Sequence, residues 1–232
     1  PGYGPETQLH QDCKSEILAA LVKNYPNGRW DKERAIEAKG KIPRVVPDLS
    51  GRIGDQRLVI EVQVSALSFS KMLKRMRVYS ARRIPVLWII PTNETVPVEP
   101  FRPWLYERML HMLYFGRAYY WTRGMGATVA PVHFGLANRY IDVSTWRDEG
   151  GSECSAGGYH KAYKIVKTPT SGPILDITAG FQNKWRSEFK PHNERKTLPA
   201  CNIWLDSLKP WWSPKGEEKQ PDYYDYGDYM DT

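Results

Sequence analysis

Residues 44–65, RVVPDLSGRIGDQRLVIEVQVS, hold an aspartate and a glutamate that one tight turn would bring face to face. Val45, Val46, Leu49 and then 58–64 are rich in β-branched and aliphatic residues, with Ser50, Gly51, Gly54 and Asp55 between them, which is the composition of a β-hairpin. With Gly54 and Asp55 as the central residues of a type II′ turn, pairing runs 53 with 56 and 52 with 57, and reaches Asp48 opposite Glu61. Opposed residues share a sheet face with Cβ atoms about 5 Å apart. Two carboxylates at that separation repel unless a cation or a proton lies between them. Side-chain alternation puts Val59, Glu61, Gln63 and Ser65 on the face of Asp48, and Leu58, Ile60, Val62 and Val64 toward a core. Oxygen ligands of this kind suit Mg2+ or Mn2+, which keep several waters and accept phosphate oxygens. The chemistry expected is phosphodiester hydrolysis, with an ion activating water and a second ion able to stabilise the leaving oxygen. Asp48 and Glu61 are then metal ligands rather than nucleophiles.

The elements that must hold this pair follow from periodicity. Apolar residues at 9, 13, 17, 18, 21 and 22 predict a first helix, closed by Asn24, Pro26, Asn27 and Gly28. A strand is expected over 34–41, then the hairpin, a basic helix over 69–82 and a buried strand over 85–90. The order helix, three strands, helix, strand predicts an α/β fold, a mixed β-sheet core flanked by helices. Lys71, Lys74, Arg75 and Arg77 are expected to form an exposed basic face that contacts phosphates.

The prolines over 91–103 read as a linker, which divides the chain into a core at 1–95, an α+β accessory region at 96–216 and a tail at 217–232. In the accessory region a helix is expected over 103–115, and β runs over 118–122, 128–134 and 139–143, the last two as a hairpin around 135–138. Residues 148–158 read as loop. Trp185, Trp204, Trp211 and Trp212 lie among Lys184, Arg186, Lys190, Arg195, Lys196, Lys209 and Lys215, a pattern open to base stacking or to buried packing.

The formal net charge of +7 and pI near 9.2 favour a polyanionic partner. The tail, EEKQPDYYDYGDYMDT, holds six acidic residues and one lysine, a contribution of −5, which leaves +12 on the preceding 216 residues. Such a body should bind phosphate backbones with strong salt dependence, while the tail, without periodicity, reads as disordered. A sharper expectation is that it competes with nucleic acid for a basic cleft or docks a partner protein. Nothing in the sequence approaches a membrane span, and a cytoplasmic protein is expected. Three distant cysteines, Cys13, Cys154 and Cys201, argue against a disulfide framework, and no structural zinc is expected.

The pattern Pro47-Asp48, a turn, then Ile60-Glu61-Val62-Gln63 resembles the signature of the PD-(D/E)XK nuclease superfamily. Within it the chain is similar to the competence protein CoiA-like nucleases over residues 9–91: His10 and Lys14 on a leading helix, the Glu61-x-Gln63-x-Ser65 strand, a basic helix with Tyr79, and the Ile84–Ile90 strand, IPVLWII. The resemblance implies a restriction-endonuclease-like fold, metal binding by Asp48 and Glu61, and DNA as substrate, cut to leave a 5′ phosphate. It also implies a role in DNA processing, recombination or defence. Gln63 stands where the superfamily usually has lysine; Lys14, Lys39 and Lys41 are the candidate substitutes, and Glu37 resembles an additional acidic ligand. With His10 they complete the expected site. A catalytically inactive nucleic-acid-binding protein that keeps the fold is the alternative.

Overall fold

Thr7 starts the first helix by accepting the His10 N–H on its hydroxyl at 3.3 Å. In the computed structural model, which describes residues 7–64, 69–93, 96–190 and 197–213, α1 then runs Gln8–Asn24 and buries Leu9, Cys13, Ile17 and Leu21 along one stripe. A two-residue strand β1 (Asp31–Lys32) pairs antiparallel with β2 (Leu49–Ile53), which pairs with β3 (Gln56–Val62) across Gly54 and Asp55. The register is Ile53 with Gln56, Arg52 with Arg57 and Leu49 with Ile60, as the turn chemistry requires. Gly54 has φ +56 while Asp55 stays at negative φ, the type II′ signature that glycine adopts without steric cost.

The strand expected over 34–41 does not form. Ile36 and Lys39 make isolated bridges to Val45 and Ile42, and Gly40 turns the chain at φ +57. Glu33 at φ 52 on one side and the donorless Pro43 on the other interrupt any ladder. The basic helix α2 runs Phe69–Ala81, and β4 (Val86–Pro91) lies parallel to β3 with every residue buried.

Helix α3 (Leu105–Leu113) begins where Glu107 accepts the Trp104 N–H at 2.6 Å. Next come β5 (Ala118–Trp121), β6 (Thr128–Ile141), β7 (Ser144–Arg147), β8 (Glu153–Ala156), β9 (Tyr159–Ser171), β10 (Leu175–Asp176), β11 (Phe181–Arg186) and β12 (Cys201–Asp206). The expected hairpin around 135–138 is instead one fourteen-residue strand paired with β9. Gly135 lies within the strand opposite Thr168, and the register shifts between Leu136 and Asn138. The expected loop over 148–158 contains β8, which pairs with β7 around Asp148, whose carboxylate accepts the Gly150 and Ser152 N–H groups. Trp204 is buried and Trp212 stacks on His133 at 4.2 Å, whereas Trp185 is exposed.

The sheet has ten strands, and β4 is its pivot. One edge of β4 takes β3; the other is shared, with β12 parallel to it at Val86 and β5 parallel from Ile89 to Pro91. Between these two contacts the Tyr114 hydroxyl donates to Val86 O at 2.9 Å and accepts the Trp88 N–H at 2.8 Å. Among the described residues one buried cluster joins Ile60 and Leu87 to Tyr119, Val132 and Ile203. Among the described residues no helix is long and apolar enough to cross a membrane. The acidic tail, with Ser65, Arg195, Lys196 and Lys215, lies outside the described residues.

Candidate active site

Asp48 enters the site one residue before β2 and is oriented by the neighbouring strand: Oδ2 accepts the Val62 N–H at 2.7 Å. His10, on the first turn of α1, places Nε2 3.5 Å from the same oxygen. Burial works to raise the Asp48 pKa, but His10 and the Val62 N–H outweigh it and hold the carboxyl below its ordinary value. Lys14, one helical turn beyond His10, is buried and puts Nζ 2.6 Å from Glu33 Oε1.

The register of Leu49 with Ile60, continued by one residue, puts Glu61 across from Asp48. It is 2% exposed and fully engaged. Arg75 donates from Nε to Oε1 at 2.8 Å and from Nη2 to Oε2 at 2.7 Å, and also reaches Val46 O at 2.7 Å. The Tyr79 hydroxyl donates to Oε1. Arg75 and Tyr79 are four residues apart on α2 and therefore share the helix side that covers Glu61. Burial pushes the Glu61 carboxyl up to about 7, and Asp48's negative charge adds to this, against the pull of Arg75 and Tyr79. Glu61 in turn holds Arg75 above its ordinary value against the cost of burying the guanidinium.

The expected residues thus divide. His10, Asp48 and Glu61 converge, and Gln63 lies buried two residues past Glu61, its N–H bonded to Ile89 O at 2.8 Å. Lys71, Lys74 and Arg77 are exposed on α2. Arg75 does not join them; it turns inward to the glutamate, which corrects its assignment to the outer basic face. Glu37 is not brought to the carboxylate pair: it is exposed, with Oε1 3.4 Å from Arg44 Nε. Lys39 and Lys41 are exposed on the same loop. Tyr79 was readable from its spacing to the core residues Met72 and Met76, seven and three positions earlier on the helix.

The donor set suits a hard cation, for the guanidinium on Glu61 shows that this face already holds a positive charge. It is not a ready-made cage. Both Glu61 oxygens are taken, and among the described residues no three His, Cys, Asp or Glu side chains are grouped to hold a metal. A divalent ion shared with Asp48 requires Arg75 to give up one oxygen.

Residues 6–106 match the family model of the competence protein CoiA, nuclease-like domain. Over this segment the chain is similar to the CoiA nuclease-like domain. The segment contains α1, the hairpin, α2 and β4, and with them His10, Asp48, Glu61, Gln63, Arg75 and Tyr79. A solved structure described as a refined half-complex from the tetradecameric assembly of Thermococcus gammatolerans McrB AAA+ hexamers with bound McrC is 23% identical over 41% of this chain, with a TM-score of 0.26. The chain covers 25% of that protein's length. No curated protein matches the chain.

Proposed function

We propose that the CoiA-type domain is a Mg2+- or Mn2+-dependent deoxyribonuclease that hydrolyses phosphodiester bonds in DNA processing, recombination or defence. The observation that supports this reading is the register of β2 on β3, Leu49 with Ile60, whose continuation by one residue pairs Asp48 with Glu61, together with the effect of the Asp48 charge on Glu61. Asp48 and one oxygen of Glu61 would hold the ion, which when bound supplies charge neutralisation at the phosphate and an acidified water. The remaining work falls to the chain's own residues. The Val62 N–H keeps Asp48 ionised and aimed. Arg75, on leaving one Glu61 oxygen, carries its guanidinium to phosphate, the role that lysine has in the superfamily and that Gln63, uncharged, cannot fill. Tyr79 keeps the other Glu61 oxygen in place, and Gln63 orients water or phosphate by hydrogen bonding.

The test is cleavage of plasmid and single-stranded DNA with either metal. Asp48→Asn and Glu61→Gln should each lower cleavage by more than about 100-fold, since even outer-shell changes at metal sites cost 10–100-fold, while DNA affinity without metal is kept. The second reading, a binding protein without catalysis, is favoured by one observation: Arg75 and Tyr79 saturate Glu61. It predicts no cleavage by the unmodified chain with any divalent ion.

A further inference from the structure

The sheet face that carries Asp48 and Glu61 continues along the hairpin to a second feature. Alternation places Ser50 and Arg52 on the side of Asp48, and Arg57 and Val59 on the side of Glu61. Arg52 and Arg57 are direct partners in the ladder. Opposed like charges destabilise a strand pair, so this position is unfavourable until an anion lies over it. The two arginines border a groove of about 450 Å3 whose lining also includes Arg29, Arg34, Lys39 and Arg82.

The charge there is uncompensated. Among the described residues none of these six cations has an ion pair. Glu37 is the acidic residue of the lining, and its carboxylate faces Arg44. Two of the arginines are held by main-chain carbonyls: Arg34 Nη2 donates to Arg29 O and, at 3.2 Å, to Ser50 O, while Arg82 Nη2 donates to Glu37 O. Arg82 Nε is buried without an acceptor. A guanidinium has five N–H groups in a fixed fork, so these contacts orient each fork and leave donors for a ligand. Arg75, Tyr79 and Arg82 follow one another four and then three residues apart, and lead from Glu61 along α2 and just past its end to the groove. Four residues of strand separate Arg57 from Glu61, about 13 Å, roughly four base-pair steps along a duplex axis.

We propose that this groove is a second anion site, a cradle for phosphate groups of the nucleic-acid backbone several steps from the bond at Asp48 and Glu61. The inference rests on the nucleic-acid reading above and not on cleavage. The shared chemistry is a phosphate oxyanion, which a DNA backbone and free inorganic phosphate both supply; six cations spread over one groove fit a chain of phosphates.

The experiment measures anisotropy of a labelled duplex DNA over a salt series, with EDTA present, using the full chain. The variants are R52Q/R57Q, the charge-keeping R52K/R57K, and R147Q/K161Q, which removes the same charge from exposed positions on β7 and β9. Two lost phosphate contacts should reduce the slope of log K against log salt by about 1.8 and weaken binding at low salt at least tenfold. R52K/R57K should keep most of the slope, R147Q/K161Q should leave it unchanged, and R52Q/R57Q should melt no lower than the parent. An equal slope in R52Q/R57Q and R147Q/K161Q overturns the proposal. So does thermal stabilisation by inorganic phosphate without DNA affinity. DNA binding that depends on Arg52 and Arg57 in a chain that never cuts DNA would leave the cradle standing and remove the nuclease reading.

Discussion

Glu61 carries two opposing demands, burial and charge, and Arg75 is the group that reconciles them. With its carboxyl raised from an ordinary 4.5 to about 7, its contribution to folding stability is full below about 4.5 and is lost as pH rises through about 7. Asp48 behaves oppositely: its depressed value adds stability above the ordinary 3.8, lost as pH falls below it. On the proposed nuclease reading, a shared metal ion needs both carboxylates ionised. Cleavage should therefore rise about tenfold per pH unit up to about pH 7 and level above it, as read from a kcat/KM profile with Mn2+. Arg75→Gln removes a group that lowers the Glu61 value, so the rising limb should move to higher pH. It should also cost on the order of 3 kcal/mol in urea denaturation, because a buried carboxylate loses its partner. A limb that stays in place would show that Glu61 is not the titrating group. The facing pair was legible in the sequence because a two-residue turn and period-two alternation leave one register. Arg75 was not, because it sits within a run of basic residues; only its four-residue spacing to Tyr79 separates it from Lys74 and Arg77, which do face outward.

At the scale of elements, strands with local partners were readable and strands with distant ones were not. The hairpin, α1, α2 and β4 follow from turn residues and periodicity. Gly135 in β6 and Asp148 after β7 carry the same residue types as turns, yet only Asp148 lies in one, because β9 decides the matter for Gly135 from over thirty residues away. The edge of β4 gives a sharper case. Tyr114 is fully buried, and its hydroxyl donates to Val86 O and accepts the Trp88 N–H, which lies between the β12 contact at Val86 and the β5 contact from Ile89. Tyr114→Phe keeps the ring and strands the Trp88 N–H, at a cost of roughly 1–3 kcal/mol. Equilibrium unfolding should show a loss of about 1–3 kcal/mol. A loss within about 0.5 kcal/mol, the usual span of changes that touch no buried feature, would mean that the hydroxyl does not bridge the strand.

For the whole molecule, the nuclease-like segment shares its sheet with later strands. Its central strand β4 is buried on both edges, and β5 and β12, which close one of them, lie beyond residue 106. A fragment of residues 1–106 is expected to lack a cooperative thermal transition by circular dichroism and to aggregate through the open edge, whereas the full chain melts cooperatively. A sharp transition in the fragment would show that the later strands are dispensable. Composition points to a proline-rich boundary near residue 95, whereas the pairing of β4 with β5 and β12 joins strands too far apart to leave a local trace.

The shared edge of β4 also sets an order of events during synthesis. Every group of the site has left the ribosome soon after Tyr79, yet the strand that supports Glu61 waits for Cys201–Asp206 before its flank is closed. Long-range pairing of this kind is slow, so the Val86 end of that flank stays open while roughly a hundred further residues are synthesised, an interval in which exposed apolar surface favours aggregation.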